Sequence, residues 1–528
     1  MQSSISLNRR SVLRGLYLGL GAAALPTWFV QARAQTAGGA ELKLPVGPLA
    51  AIGAVEPKTL TAGAIAGLDD AITAPPGFSV RCVARAGVDP VAGRAAGFTW
   101  HVNPDGGAVF PAEDGGWVYV SNCEATPGGG VGALRFDRDG VVTDAYPILT
   151  DTRQNCAGGA TPWGTWLSCE EQTNGEVYEC DPFGTAADAV KKPALGAFPH
   201  EAAAIDPRNH VCYLTEDGSN QRFWRFVTTE ADRTLLAGGV TRLALEQGQL
   251  QVLQIEGFAA GTTPAAADLR EAKRTSWVNV TRLPALPGQP QQLPTQTTSG
   301  SQFNGGEGIW YYELPEALRE TPALGTVPTR GVIFFTTKGD NRVYAYDIEN
   351  SLIELIFDNE NMQLATGYDD VDNLTVSPAG DVLVCEDGEQ KRICVIVPNQ
   401  PAKLLMQITR GGSEIAGAAF TPDGSRLYFS SQRGPSGADG SGASGATYEL
   451  TIPPEFRSLT PPPVEPPPSG SSSGGTSSGG SVTPPPAPVP EDSSGGRFGG
   501  GSLATGTLLA GLAAAGLRSR KDRSDPQA

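Results

Sequence analysis

Acidic residues recur at a regular spacing in the middle of this 528-residue chain. Glu124, Glu170 and Glu216 follow one another at intervals of 46 residues, and the same interval separates Glu386 from Gln432. Each of these residues ends a short apolar segment that follows a turn rich in Pro and Gly. Several carboxylates cannot ionise together in a small volume without cations between them. If the acids gather in space, this spacing predicts a site for hard metal ions, with calcium first among them.

A second set of positions lies six residues before the proline that ends the preceding segment of each repeat. In five repeats these positions are Asp105, Cys156, Glu201, Asp372 and Ala416. In the fourth repeat, Glu307 opens the matching segment. Further acids stand next in sequence to the first set or close to it, at Glu171, Asp217, Asp340 and Asp387. The alternative is that each acid caps a strand end and faces water separately.

Cys156 begins one of these segments at a position where most other repeats carry an acid. A thiolate there would favour a softer or redox-capable metal such as iron. The alternative is a buried structural cysteine, which we expect for most of the eight cysteines because none forms a CxxC pair. With only His101, His200 and His210 in the chain, a mainly imidazole-based zinc or copper site is not expected.

The elements that position these residues are strands. A period near 46 residues with β-rich units is typical of a propeller. The six units therefore predict an all-β, six-bladed β-propeller. A polar insertion is expected in the fourth repeat, around residues 228–304. Two strands of each unit form a hairpin, so the start of the first and the end of the second lie at the same end of the blade. Rotation about the propeller axis then gathers both sets of residues around one mouth of the channel.

Both ends of the chain differ from the middle. Residues 1–34 carry twin arginines at Arg9 and Arg10, an apolar stretch and a small-residue cleavage site, which predicts a twin-arginine signal peptide. We expect the propeller over 40–457, a Pro/Gly/Ser-rich linker over 458–501 and an apolar sorting or anchor segment over 502–528. These features predict export by the twin-arginine translocase to the periplasm or cell surface, with membrane attachment through the C-terminal segment. A sorting protease could cleave that segment, and a simple tail anchor is the alternative.

The net charge of −17 becomes −21 without residues 1–34, which hold four arginines and no acid. Such a body repels nucleic acid at long range, so nucleic acid is not an expected partner. A small substrate and a monomeric state are expected instead.

Several segments resemble the PhoX-type alkaline phosphatases. The longest is the run 155–171, NCAGGATPWGTWLSCEE, and shorter ones lie at 198–202, 213–217, 306–311, 372–378 and 385–388. The resemblance implies a six-bladed propeller that hydrolyses phosphate monoesters outside the cytoplasm with a cluster of iron and calcium ions. It implies that Cys156, Glu201 and Glu307 hold iron and act in catalysis. It also implies that Glu124, Glu170, Glu216, Asp372 and Glu386 hold calcium or complete the cluster. From their positions next to these acids, Glu171, Asp217 and Asp387 are predicted to bind metal as well.

Two positions depart from the family pattern. Gly305 stands where an arginine is usual before the Gly-Glu-Gly block, and Cys123 replaces a histidine before Glu124. The missing arginine would clamp phosphate, and Arg222 or Lys338 could substitute for it. The predicted function is therefore metal-dependent hydrolysis of phosphate esters. The alternatives are a non-catalytic, calcium-stabilised propeller that binds a partner or polymer, and a lactonase-like hydrolase, against which the cysteine and the excess of acids argue.

Overall fold

The computed structural model describes residues 42, 44–52, 58–61, 71–218, 221–281, 299–359, 368, 370–388, 390–398, 400–409, 413–434 and 445–457. They all fall within one compact unit, Met1–Val464. The predicted signal peptide at 1–34, the linker at 458–501 and the C-terminal segment at 502–528 lie outside the described residues.

Three strands precede the repeats: β1 (Lys58–Thr61), β2 (Ala71–Ala74) and β3 (Ser79–Arg85). Blade 1 then comprises β4 (Pro104–Pro111), β5 (Trp117–Cys123), β6 (Gly129–Phe136) and β7 (Val142–Thr152). Blade 2 comprises β8 (Asn155–Ala160), β9 (Trp166–Glu170), β10 (Val177–Cys180) and β11 (Val190–Lys191). Both are antiparallel meanders in which consecutive strands pair.

Blades 3 and 4 are joined through the predicted insertion. Blade 3 contains β12 (His200–Asp206), β13 (Val211–Glu216), β14 (Trp224–Thr228) and β17 (Gly248–Ile255), with the hairpin β15 (Arg233–Leu235) and β16 (Thr241–Leu243) inserted. Blade 4 contains β19 (Gly306–Glu313), β20 (Gly331–Thr337), β21 (Arg342–Asp347) and β22 (Leu352–Asp358). Strand β18 (Lys273–Asn279) pairs with β17 on one side and β22 on the other, so the two sheets are continuous.

The ring of blades is closed by strands from the N-terminal and C-terminal parts of the described region. Blade 5 contains β23 (Val371–Val376), β24 (Val382–Gly388), β25 (Arg392–Ile396) and β26 (Lys403–Ile408), to which β2 and then β1 add. Blade 6 contains β27 (Ser413–Phe420), β28 (Arg426–Ser431) and β29 (Ala446–Thr451), and β3 from the beginning of the chain supplies its fourth strand. Because β3 pairs with β29, the first and last strands of the propeller are hydrogen-bonded to each other.

Helical structure among the described residues is limited. One short α-helix, Ala266–Leu269, accompanies 3₁₀ turns at Pro48–Ala51, Ala186–Asp188, Pro193–Leu195, Glu230–Asp232, Glu316–Leu318, Lys338–Asp340 and Pro454–Phe456. In the part of the chain that the structure describes, no helix has the length and apolar character needed to cross a bilayer.

The second strand of each blade lies between neighbouring strands and neighbouring blades, so both of its faces are buried. All seven residues of β5 and of β20 are buried, which explains why these segments read as nearly continuous apolar runs. Aromatic side chains fill the spaces between blades, as in the stacked pair Tyr119 and Tyr428 from blades 1 and 6. The predicted all-β, six-bladed propeller is confirmed.

Candidate metal centre

The first strand of every blade carries an irregularity in its pairing with the second strand, close to its start. The last paired residues before the shift are Pro104, Asn155, His200, Gly306, Val371 and Ala416. A β-bulge redirects the side chain at the bulge. In blades 1 to 5, the residue immediately after this last pair is an acid or a cysteine. We call these residues the inner ring: Asp105, Cys156, Glu201, Glu307 and Asp372.

A second ring consists of one residue from each blade. This residue follows the last residue of the second strand that pairs with the first strand. The backbone N–H of Glu124 donates to Asn103 O at 3.0 Å, that of Glu171 to Gln154 O at 2.8 Å and that of Lys338 to Gly305 O at 2.8 Å. Asp387 and Gln432 repeat the contact in blades 5 and 6. Asp217 follows Glu216, which pairs with His200 in the same way. We call this set the outer ring: Glu124, Glu171, Asp217, Lys338, Asp387 and Gln432.

Members of the two rings form three groups. Within each group, the possible ligand atoms all lie within 4.8 Å of one another. The groups are Asp105–Glu124–Cys156, Cys156–Glu171–Glu201 and Glu201–Glu307–Asp372. Cys156 is shared by the first two groups and Glu201 by the last two. The groups therefore form a continuous arc across blades 1 to 5 rather than three separate sites.

Glu201 provides the clearest test of whether this arc suits cations. Its side chain is fully buried, and neither carboxylate oxygen has a hydrogen-bond partner among the described residues. Burial, followed by the charges of Glu307 and Glu171, raises its pKa well above the ordinary value. A buried carboxylate without a partner is costly, and a bound cation would satisfy both oxygens at once. The residues present therefore fit a metal site.

The other members of the arc show the same electrostatic conflict. Burial and then the charges of Glu124 and Asp372 raise the pKa of Asp105 to about 7. Burial and then Glu124 and Asp217 raise the pKa of Glu171 to about 8. Burial, followed by the charges of Asp105 and Glu201, raises the pKa of the Cys156 thiol well above its ordinary value. These three side chains lack enough nearby positive charge to ionise together.

Side chains from the preceding blade position three inner-ring residues. Asn122 Nδ2 donates to Cys156 O at 3.1 Å, Thr215 Oγ1 donates to Glu307 O, and Thr336 Oγ1 donates to Asp372 O. Each donor lies near the end of a second strand and reaches the first strand of the next blade. These contacts fix the spacing between inner-ring residues through the backbone.

Five predicted site residues lie outside the groups found among the described residues: the outer-ring residues Asp217 and Asp387, and the strand residues Glu170, Glu216 and Glu386. Glu170 accepts hydrogen bonds from the backbone N–H groups of Arg153 and Glu176, and Glu216 accepts from Trp224 Nε1 at 2.8 Å. Glu386 forms a buried ion pair with Arg392. Each of these three is the residue just before an outer-ring position, and successive side chains of a strand point to opposite faces. The 46-residue interval thus aligned Glu124 with residues one position too early in blades 2, 3 and 5.

Lys338 is the one cation in the outer ring. Its Nζ lies 3.1 Å from Glu307 Oε1, 3.1 Å from Asp372 Oδ2 and 3.3 Å from Asp387 Oδ2. Burial alone lowers the pKa of this ammonium, but Asp372, Glu307 and Asp387 outweigh it and raise the pKa above its ordinary value. The other basic residue considered as a substitute for arginine, Arg222, is buried and donates Nε to Ser299 O at 2.9 Å.

Three polar residues of blade 6 were missed as site residues. Glu414 is buried, and Gln432 Nε2 contacts it together with Asp105 Oδ2 at 2.7 Å and Glu124 Oε2 at 2.6 Å. Arg433 exposes a third of its side chain and places Nη2 3.3 Å from Glu414 Oε2. Gln432 stands at a strand end without an acid, so the sequence pattern does not point to the residues beside it. Asp105 was reached by the same counting but was not included among the predicted ligands.

A cavity of about 540 Å³ opens beside the first group. Its lining includes Asn103, Glu124, Thr126, Pro127 and Gln154. Asn103 and Gln154 both have left-handed backbone conformations, with φ of 42° and 44°. Strained residues of this kind cluster at functional sites, and the volume is sufficient for a small substrate.

Comparison with known proteins supports the resemblance seen in the sequence. Residues 125–351 match the family model described as Alkaline phosphatase PhoX. The matched range contains Cys156, Glu171, Glu201, Glu307 and Lys338 and excludes the contributions of blade 5. The suspected resemblance to this family is confirmed. No curated protein matches the chain.

Among solved structures, PhoX from Pseudomonas fluorescens in complex with vanadate, a transition state analogue, superposes with a TM-score of 0.54. It is 15% identical, and the match covers 76% of this chain and 98% of that one. A gluconolactonase from Xanthomonas campestris is 12% identical over 78% of this chain and 98% of that one, with a TM-score of 0.34. At such low identity the first likeness shows the shared fold alone.

Proposed function

We propose that this protein is a metal-dependent phosphoric ester hydrolase that acts outside the cytoplasm. The observation that carries the proposal is the arc of three linked groups around Cys156 and Glu201, in a chain whose residues 125–351 match the PhoX alkaline phosphatase model. The fully buried, unpartnered Glu201 supports the presence of cations in this arc. Iron and calcium are the metals we propose, because a thiol stands among hard carboxylates.

In this proposal Asp105, Glu124, Cys156, Glu171, Glu201, Glu307 and Asp372 hold the ions. When bound, the cations supply positive charge to the phosphate oxygens and activate the attacking water. The chain's own residues bind and orient the ester. Asn103 and Gln154 line the cavity through which we propose that a small ester reaches the first group. We propose the partly exposed Arg433, which pairs with Glu414, as the basic side chain that contacts the phosphate.

Export by the twin-arginine translocase belongs to the same proposal. That route carries folded proteins, so the metal site can be loaded before export. The signal peptide, the linker and the C-terminal membrane or sorting segment remain predictions from the sequence.

A second candidate is the non-catalytic, calcium-stabilised propeller. It is favoured by Gly305, which stands where the family usually carries arginine, and by the commitment of Lys338 to three carboxylates. Loss of a phosphate clamp can lower the rate on the order of a hundredfold or more.

Phosphate release from a chromogenic monoester, together with metal content, separates the two functions. We expect the folded protein to contain iron and calcium and to release phosphate. Cys156→Ala should lose iron and activity, and a chelator should abolish turnover. Bound metal without turnover on any monoester or diester would favour the second function, and folded protein without metal would exclude both.

A further inference from the structure

The fourth blade breaks the chemical pattern of the outer ring. Four of the six outer-ring positions carry carboxylates, whereas the position in blade 4 carries Lys338. Equivalence rests on the backbone, because Lys338 N donates to Gly305 O just as Glu124 N donates to Asn103 O. The substitution therefore replaces a possible ligand with a cation at the same place in the fold.

The ammonium group faces three carboxylates. Its Nζ donates hydrogen bonds to Asp372 Oδ2 at 3.1 Å and to Asp387 Oδ2 at 3.3 Å, and it lies 3.1 Å from Glu307 Oε1 as an ion pair. Glu307 and Asp372 are inner-ring residues, and with Glu201 they form the third candidate metal group. Glu201 is fully buried with both carboxylate oxygens unpartnered, so this region carries more negative charge than the lysine neutralises.

The lysine is held in this position by its own backbone. It begins a 3₁₀ turn, Lys338–Asp340, and Gly339 N donates to Asn304 O at 3.0 Å. Gly305 opposite has φ of +69°, and a Cβ there would lie 3.2 Å from Gly339 N. The turn therefore packs closely against the residue where the family usually carries arginine.

We propose that the Lys338 ammonium is a built-in cation that occupies a cation position between Glu307, Asp372 and Asp387. This inference rests on the proposed metal site. It implies that the chain holds one metal ion fewer than its carboxylates would otherwise hold. It also implies that Lys338 does not serve as the phosphate clamp, since three carboxylates already surround its ammonium.

The test is the metal content of Lys338→Met, measured by elemental analysis after equilibration with calcium and removal of unbound ion. We expect one additional calcium per chain relative to wild type and a larger rise in melting temperature on calcium addition. Lys338→Arg should keep the wild-type content. Lys191→Met is the matched control. Lys191 lies on β11, the strand at the outer edge of blade 2, and its substitution removes the same charge from an ion pair with Glu176.

Equal calcium content in wild type and Lys338→Met would overturn the inference while leaving the proposed metal site intact. Absence of metal from the wild type would instead reject the proposed function itself. If Lys338→Met does not accumulate as folded protein, Lys338→Gln removes the same charge and keeps a polar side chain among the three carboxylates. That variant should also gain one calcium, and a wild-type content would again overturn the inference.

Discussion

Neighbouring residues in this propeller have opposite roles. Glu170 and Glu171 are adjacent, yet Glu170 accepts two backbone N–H groups while Glu171 joins Cys156 and Glu201 in a candidate metal group. Asp217 and Asp387 likewise follow Glu216 and Glu386, whose carboxylates contact Trp224 and Arg392. The alternation of side chains along a strand divides each acidic pair into a structural member and an outer-ring member.

Matched substitutions at this pair test the division. Glu171→Gln should lower metal content and leave stability without metal nearly unchanged or higher, because it removes a carboxylate that burial and like charges disfavour. Glu170→Gln should keep the metal content but destabilise the fold by about 1–2 kcal/mol, since an amide nitrogen replaces one of the two oxygens that accept backbone N–H groups. Elemental analysis and denaturant unfolding of both variants measure these effects. The reverse pattern would place Glu170 in the metal site.

The sequence predicted much of this arrangement. The recurrence of strands and acids predicted the blades, and Cys156, Glu201, Glu307 and Asp372 were all identified as residues that begin inner strands. The alignment of Glu124 with Glu170 failed by one residue, because the interval between equivalent positions varies with the length of the turns. The role of Lys338 could not be predicted, since only the folded chain shows which carboxylates surround its ammonium.

At the scale of elements, an N-terminal segment is anchored on blade 5 by one buried carboxylate. Asp381 accepts a hydrogen bond from Ala50 N at 3.2 Å and another from Ser377 Oγ at 3.0 Å. Leu49 of the same segment is fully buried in the core beside blades 5 and 6. A Cβ at Gly47 would lie within 2.3 Å of the Asp381 carboxylate, so the segment approaches it closely.

Burial raises the pKa of Asp381 to about 7, against 3.8 for the free side chain. An acid whose pKa is raised by folding contributes most stability below pH 4, and that contribution is lost as the pH rises through 7. The full loss amounts to about 4 kcal/mol at most. Asp381→Asn should therefore unfold with a weaker dependence on pH between 5 and 8 than the wild type, and should be the more stable of the two at pH 8.

Denaturant unfolding of both proteins at a series of pH values measures this difference. The difference in the free energy of unfolding between variant and wild type at each pH cancels the contribution of the other acids. A variant that is less stable than the wild type throughout the range would show that the charged carboxylate, rather than its shape, holds the segment.

At the scale of the whole molecule, the ring of blades is closed by β3 on β29 while its mouth concentrates negative charge. The inner-ring acids come from separate blades, so their repulsion acts across blade interfaces. Cations in the arc would join blades 1 to 5 at the axis, whereas β-strand pairing joins blade 6 to the beginning of the chain.

Removal of metal should therefore destabilise the whole propeller. A site that is saturated at a hundred times its dissociation constant contributes about 2.7 kcal/mol. We expect a chelator to lower the melting temperature by about 3 °C for each such site in a propeller of this size, with recovery on adding calcium and iron. Differential scanning calorimetry checks this. An unchanged melting temperature in protein shown to have lost its metal would mean that the arc does not link the blades.

The most direct test of the central claim is elemental analysis of the folded wild-type protein beside Glu201→Gln. Glu201 belongs to two of the three groups and has no other partner among the described residues. The account predicts iron and calcium in whole-number ratios to the wild-type chain, and a loss of more than one equivalent in the variant. A folded wild type without bound metal, or a variant with unchanged metal content, would contradict it.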